Sequence, residues 1–291
     1  MTTKPTAKKT RTATSSKRTP PQAKIALNRE AAQERRVDPS QLKDQFKELR
    51  LPSFRDHFEE QAIRAATEQW IPMQYLANLT ELELQVRKEG RVRRLLNRSQ
   101  LPLGKTWESF DFKRLPLGVH RIAETLRTGI FLDRRENVLI FGRPGSGKTH
   151  LLCGLAEQLI HQGRSVLFTT CSLLVQQLLL AKRDLRLPKY IRQLSSYEAL
   201  VIDDLGYVQQ SREEMEVLFT LLAERYERGS VMLTSNLPFS KWEQIFKDAM
   251  TTAAAIDRLV HHSVIVELNV ASYRAETAKQ NQKSTTLPME E

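Results

Sequence analysis

Eight residues restrict what this chain can fold into more than any other feature. Gly142-Arg143-Pro144-Gly145-Ser146-Gly147-Lys148-Thr149 follows the apolar run Val138-Leu139-Ile140-Phe141. It leads into a helical pattern at Leu151, Leu152, Leu155 and Leu159. A G-x-x-x-x-G-K-[ST] segment between a strand and a helix is the setting in which backbone amides wrap phosphate. Its glycines permit close approach and positive φ. The loop amides and the helix N-terminus offer a positive field to the anion. Lys148 is placed to reach β- and γ-phosphates, and the Thr149 hydroxyl to ligate Mg²⁺. His150 completes the candidate nucleotide-binding set. Such a loop needs a sheet behind it, and the sequence supplies one. Apolar runs at 166–170, 199–202, 231–234 and 264–268 alternate with helical patterns. That alternation predicts a five-stranded parallel sheet covered on both faces. Ser172 is the expected cap of a helix reaching about Arg183, Pro188 opens a short helix, and Ser211 with Glu214 forms a capping box for another.

Further polar residues stand at the predicted strand ends, where ligands of open α/β sheets bind. Asp203-Asp204 closes the third strand. Asp203 would hold Mg²⁺ through water and Asp204 would polarise an attacking water; alone, the pair would read as acids capping a turn before Gly206. Thr234-Ser235-Asn236 closes the fourth strand. Asn236 is either an amide that positions the lytic water or the start of the turn into Pro238. Arg258 precedes the fifth strand and Arg274 follows it. Each is either a surface residue or an arginine supplied to a transferring phosphoryl group of a neighbouring subunit. His261-His262 has no acid or cysteine cluster beside it in the sequence and reads as a solvated turn.

Charge is distributed unevenly. The chain has 291 residues and a net charge of +11, yet residues 1–37 hold ten basic and two acidic side chains, leaving only +3 for the rest. These residues read as a disordered basic arm that fits a polyanion. Helical spacing follows, at Leu42, Phe46 and Leu49, then Phe54, Phe58, Ala62 and Ala65, then Leu76, Leu79, Leu82 and Val86. The third of these helices ends in Arg87, Lys88, Arg91, Arg93, Arg94 and Arg98. Arg87, Arg91, Arg94 and Arg98 fall on one stripe, which is either a solvated face or a set of sequence-independent phosphate contacts. Residues 38–98 thus form an expected helical DNA-binding domain, 99–118 a linker, 119–282 the nucleotide-binding domain and 283–291 a disordered tail. No apolar run approaches the ~20 residues that span a bilayer, and no secretory signal is evident. Cys153 and Cys171 sit among apolar neighbours and read as buried thiols in a reducing cytoplasm.

Taken together, these residues resemble a known family. Gly142–Thr149, Leu205-Gly206 after the acid pair, Thr234-Ser235-Asn236 running into Leu237-Pro238-Phe239-Ser240-Lys241-Trp242, and Asp257-Arg258-Leu259 are similar to the IstB-like AAA+ ATPases. Those are transposition helpers of insertion sequences, related to the DnaC helicase loaders. The resemblance covers about residues 38–282. It implies an α/β AAA+ P-loop core with strand order 5-1-4-3-2 behind a small all-helical N-terminal domain. It also implies ATP and Mg²⁺ as cofactors, self-association into an ATP-dependent oligomer on duplex DNA, and recruitment of a partner transposase. By resemblance, Lys148 and Thr149 are Walker A residues, Asp203 and Asp204 the Walker B pair and Asn236 sensor one. Arg258 matches the arginine finger, Arg274 the sensor-two position, and residues 172–187 the extra helix of initiator-type AAA+ proteins.

Two departures from the AAA+ pattern matter. The second Walker B acid is Asp204 where most AAA+ proteins have Glu, which implies slow hydrolysis. About 23 residues follow the fifth strand, too few for the usual helical lid. The expected function is therefore an ATP-dependent, DNA-binding transposition regulator acting in a bacterial cytoplasm at the nucleoid, without a membrane partner. Two rivals remain at this level: a replicative helicase loader of the same fold, and a small-molecule P-loop kinase. A kinase needs an acceptor pocket and usually a lid with phosphate-binding arginines, for which Asp204 and Asn236 offer a water-positioning pair instead.

Overall fold

The computed structural model describes residues 37–206, 211–246, 249–273 and 276. Residues 1–36 of the expected basic arm, Arg274 and the 283–291 tail lie outside the described residues. The chain divides into two compact units, 1–86 and 87–291.

The first unit is helical: α1 (Pro39–Glu48), α2 (Pro52–Thr67) and the first half of α3 (Pro72–Ser99). Each helix opens on a proline, whose missing N–H costs nothing in a first turn. Asp38 caps α1 by accepting from the Ser40 amide at 2.9 Å. Phe46 lies 5.6 Å from both Phe54 and Phe58, and buried Phe58 and Leu79 complete the small core. A carboxylate from α3 caps α2 from outside: buried Glu83 accepts from the Ser53 amide at 2.8 Å. That satisfies a donor the helix leaves orphaned, at the positive end of its dipole.

The second unit carries the sheet. After α3 come an irregular strap containing a 3₁₀ turn (Phe112–Arg114), then α4 (Leu117–Arg127) and α5 (Ile130–Asp133). There follow β1 (Asn137–Gly142), α6 (Lys148–His161), β2 (Val166–Thr170), α7 (Cys171–Arg183), α8 (Leu187–Ser195), β3 (Ala199–Leu205), α9 (Arg212–Arg225) and β4 (Ser230–Ser235). A second 3₁₀ turn (Phe239–Lys241), α10 (Glu243–Phe246), α11 (Ala249–Val260) and β5 (Ser263–Leu268) complete it. The five strands are parallel in the order β2-β3-β4-β1-β5. This is the order that the AAA+ resemblance implies.

Alternation along β1 explains the two covered faces. Val138 and Ile140 face a core built with α4, α5 and α6, while Leu139 and Phe141 face one built with α7, α8, α9 and Trp242. All four are buried, as strands covered on both faces require. The Ser211–Glu214 capping box forms as expected. The cap of α7 is Thr170, two residues earlier than Ser172, because the Thr170 hydroxyl reaches the Leu173 amide at 3.4 Å. Helix α11 has no counterpart among the expected elements; its Ala-rich start gives too little hydrophobic contrast to show a period.

Two features tie the unit together. Residues 99–116 pack closely onto it: Trp107 is buried, and its amide donates to Glu157 Oε2 on α6 at 3.2 Å. Gly154 on α6 makes room, since a Cβ there would lie 2.9 Å from the Trp107 backbone. Arg225 is also buried, with its guanidinium donating to the carbonyls of Leu194, Tyr197, Glu198 and Ser230 at 2.9–3.3 Å. Burial lowers its pKa to about 10, so it stays charged at neutral pH. Cys153 and Cys171 are buried and form no disulfide, and burial pushes the Cys153 thiol up to about 12. Among the described residues, no helix is long and apolar enough to cross a membrane.

Candidate nucleotide-binding site

The P-loop runs from the end of β1 into the first turn of α6. Gly145 and Gly147 have φ of +80° and +95°, in the left-handed region that side chains resist. A side chain at either would also collide, with Ser272 Oγ at 2.1 Å from a Cβ on Gly145 and with Phe110 at 3.2 Å from one on Gly147. Lys148 is buried and folds over its own loop, donating to the carbonyls of Gly142 and Arg143 at 2.9 and 3.1 Å. The loop thus holds a cation inside a ring of backbone, beside the N-terminus of α6.

Thr149 links this loop to the acids. Its hydroxyl donates to Asp203 Oδ1 at 2.9 Å. Asp203 is buried, whereas Asp204 is exposed and takes φ of +59°. The two consecutive carboxylates therefore serve different spaces, one against the loop and the other toward solvent.

Asn236 lies just past the end of β4. The loop carrying it is pinned from behind: the Ser235 hydroxyl donates to Leu205 O at 2.9 Å, and the indole of buried Trp242 donates to Leu237 O at 3.1 Å. Asn236 Oδ1 and Ser146 Oγ are buried and have no hydrogen-bond partner. Orphaned polar atoms are rare in a finished site and point to a missing polar ligand.

A cavity of ≈ 460 Å³ joins these groups. The loop from Pro144 to His150, Asp204 and Asn236 all line it. The strap supplies another wall through Lys105, Ser109, Phe110 and Arg114. Tyr273 closes the side, where its amide donates to Gly145 O at 2.9 Å. Arg114 braces this wall, pairing with Glu276 at 2.6 Å and lying 5.1 Å from the Tyr273 ring centroid. His150 faces the strap, its Nε2 3.0 Å from Ser109 Oγ and 3.1 Å from Thr106 O. Burial lowers the His150 pKa, against the Thr106 carbonyl that raises it. The strap and Tyr273 are not among the expected site residues. The one signal for them in the sequence is the aromatic cluster Trp107, Phe110 and Phe112 inside a stretch without helical or strand period.

The donor set fits Mg²⁺. A hydroxyl and a carboxylate 2.9 Å apart at a helix N-terminus are hard oxygen ligands of the kind this ion takes with phosphates.

Other expected residues fall elsewhere. Arg258 lies in the last turn of α11, its Cζ 4.6 Å from the Phe219 ring centroid and its Nη1 donating to Ala254 O at 3.2 Å. The Asn137 side chain donates to the neighbouring Leu259 carbonyl at 3.0 Å, which places this turn at the start of β1. The P-loop is at the other end of that strand, about 16 Å away at ~3.3 Å per residue. Arg87, Lys88, Arg91, Arg93, Arg94 and Arg98 are all exposed on α3. They do not form a uniform stripe. Arg91 donates to Gly163 O at 2.9 Å, and Arg98 lies 5.8 Å from the Tyr197 ring centroid. The apolar neighbours Val92, Leu95 and Leu96 pack against the core and draw these two inward. His261-His262 does have an acid nearby: Glu227 Oε1 stands 3.9 Å from His262 Nε2, brought from the α9–β4 loop. All three are exposed.

Comparisons with known proteins give the family. The family model described as "IstB-like ATP binding protein" matches residues 44–281. An insertion-sequence ATP-binding protein from Sinorhizobium fredii is 39% identical over 253 residues, 87% of this chain and 85% of that protein. Insertion-sequence ATP-binding proteins from Geobacillus stearothermophilus and Pseudomonas aeruginosa are 35% and 34% identical, each over 78% of this chain and over 90% and 85% of their own lengths. A solved structure of AMPPCP-bound DnaA from Aquifex aeolicus aligns at 17% identity and a TM-score of 0.49, covering 66% of this chain and 58% of that one. The phosphate loop, its acid partners and a match over most of the length lead to one conclusion: the chain belongs to the IstB-like ATP-binding protein family.

Proposed function

We propose that this protein is an AAA+ ATPase that assembles with ATP on duplex DNA and recruits a partner transposase, hydrolysis then dismantling the assembly. The observation that carries the ATPase reading is the Thr149–Asp203 hydrogen bond at 2.9 Å, with Asp204 and Asn236 opening into the same cavity. That arrangement supplies loop, metal ligands and water-positioning groups in one place.

Each residue then has a role. On nucleotide binding Lys148 exchanges two backbone carbonyls for β- and γ-phosphate oxygens. Thr149 and Asp203 would hold Mg²⁺, which would supply charge to offset that of the phosphates in the transition state. Asp204 accepts a proton from the attacking water, and Asn236 orients that water with its unpartnered Oδ1 or the γ-phosphate with its Nδ2. Asp204 is a short side chain for this work, so turnover is slow. The strap and Tyr273 enclose the nucleoside. Arg258, about 16 Å from its own P-loop along β1, stabilises the γ-phosphate of a neighbouring protomer. Arg274 remains a proposed nucleotide contact.

The names of the relatives support a role in insertion-sequence transposition. The arm and the α3 cations fit DNA through phosphate contacts, with Lys88 and Arg93 more available than Arg91, Arg94 and Arg98. Such work would take place in the cytoplasm at the nucleoid. The test is a pair of variants followed by nucleotide binding, ATP turnover and DNA co-sedimentation. Lys148→Ala should lose nucleotide binding and turnover while remaining folded. Asp204→Asn should bind Mg·ATP, fail to hydrolyse it and stay on DNA. Turnover by Lys148→Ala at the parent rate would show that the loop is not the ATP site.

A further inference from the structure

Asp203 and Asp204 are adjacent, yet one is buried against Thr149 and the other is presented to the cavity. The backbone explains how. In the β3–β4 ladder Ile202 pairs with Leu233 and Leu205 with Ser235, so Asp203 and Asp204 together stand opposite a single residue, Thr234. This is a β-bulge, with Asp204 in the left-handed conformation at φ +59°. An acid held there needs something to offset the strain and to satisfy its displaced N–H.

Thr234 does both. It is fully buried, and its Oγ1 accepts from the Asp204 amide at 2.9 Å and donates to Asp203 Oδ1 at 2.6 Å. The hydroxyl replaces the ladder partner that the bulge removes. It also shares Asp203 Oδ1 with the Thr149 hydroxyl, which fixes the rotation of that carboxylate and leaves Oδ2 outside both bonds. We infer that Thr234 is the positioning residue of the acid pair: its hydroxyl splits two neighbouring carboxylates into a metal-side group and a water-side group. Valine has the same shape but can neither accept from the Asp204 amide nor donate to Asp203. In Thr234→Val the bulge is free to revert and swing Asp204 out of line. Misplacement of a reacting group by about 1 Å can cost roughly 10²-fold in rate.

This inference rests on the ATPase reading above. Its test compares Thr234→Val and Thr234→Ser in the full chain, with steady-state turnover and direct titration of a fluorescent ATP analogue. The expected result for Thr234→Val is a kcat about 10²-fold lower with nucleotide affinity within about twofold of the parent, and for Thr234→Ser a kcat close to the parent. A purely structural role would instead lower the melting temperature and the nucleotide affinity together with kcat. Should the valine variant not fold, Thr234→Ala and Thr234→Ser, which differ by the hydroxyl, carry the same comparison. Parent-like turnover in Thr234→Val, or equal loss of nucleotide affinity and turnover in both variants, overturns the inference. Failure of the ATPase reading looks different: the parent itself would not turn over ATP, and the lost motive would overturn this role as well.

Discussion

Gly154→Ala tests the link between packing and nucleotide affinity. Gly154 lies in the middle of α6, where alanine would ordinarily improve the helix by about 1 kcal/mol. Here the added Cβ would sit 2.9 Å from both the N and Cα of Trp107 and 3.1 Å from Thr106 C. These are backbone atoms, so no side chain can rotate aside; the strap must retreat by about half an ångström to reach the 3.4 Å of ordinary contact. Overpacking of this kind costs about 1–3 kcal/mol, which leaves a net loss of up to about 2 kcal/mol after the helix gain. In a unit of this size that lowers Tm by up to about 8 °C. The same displacement strains the Trp107–Glu157 bond and moves Lys105, Ser109 and Phe110, which line the cavity. We expect nucleotide Kd to rise about tenfold, equivalent to about 1.4 kcal/mol, with kcat at saturation little changed because Asp204 and Asn236 are on other elements. Gly90→Ala on α3 is the control: a Cβ there meets nothing within 4 Å, so the helix should gain stability without any effect on binding. Calorimetry and analogue titration read both. A Gly154→Ala protein that binds nucleotide as tightly and melts as high as the parent would refute the claim that the strap is packed on α6 as a wall of the site.

Two other parts of the chain give outcomes of their own. Arg225→Met should destabilise by about 3 kcal/mol in urea denaturation, because buried carbonyls of Leu194 and Tyr197 lose their donor, while the nucleotide affinity of the folded protein stays unchanged. Removal of residues 1–36 should flatten the dependence of log affinity for duplex DNA on log salt by about 0.9 for each phosphate the arm neutralises, and an unchanged slope would show that the arm neutralises none.

The core of the fold is readable in the sequence because it obeys short-range rules. The P-loop announces its own strand and helix, and the apolar runs of β1, β3 and β4 are continuous because both sheet faces are covered there, whereas edge strand β5 buries Val266 and Leu268 and exposes Ile265 and Glu267. The acid pair is visible at a strand end, but the difference between Asp203 and Asp204 is not. It depends on a bulge whose cause, Thr234, is on the next strand, thirty residues away in sequence. The strap is hidden for a similar reason: irregular segments have no period, and the packing of Trp107 depends on the absence of a side chain at Gly154. The α3 cations look alike in sequence because spacing assigns a face, not a partner; Gly163 and Tyr197 claim two of them only after folding. Glu227 reaches His262 across two loops that enter parallel strands at the same end of the sheet, which adjacency in sequence does not reveal.

Central to the proposed mechanism is that the site hydrolyses ATP only when a neighbour completes it. The position of Arg258 makes this testable, since its turn is fixed at the start of β1, whereas the P-loop is at the end. The direct measurement is ATP turnover by Lys148→Ala and Arg258→Ala protomers, alone and mixed, with co-assembly followed by cross-linking. Each variant alone should be inactive, the first without a phosphate-binding lysine and the second without a charge worth ~10³-fold or more in rate. In the mixture, interfaces pairing an intact P-loop with an intact Arg258 should restore a fraction of parent turnover that rises with the share of mixed interfaces. A mixture that co-assembles yet stays as inactive as its components would contradict completion of the site in trans.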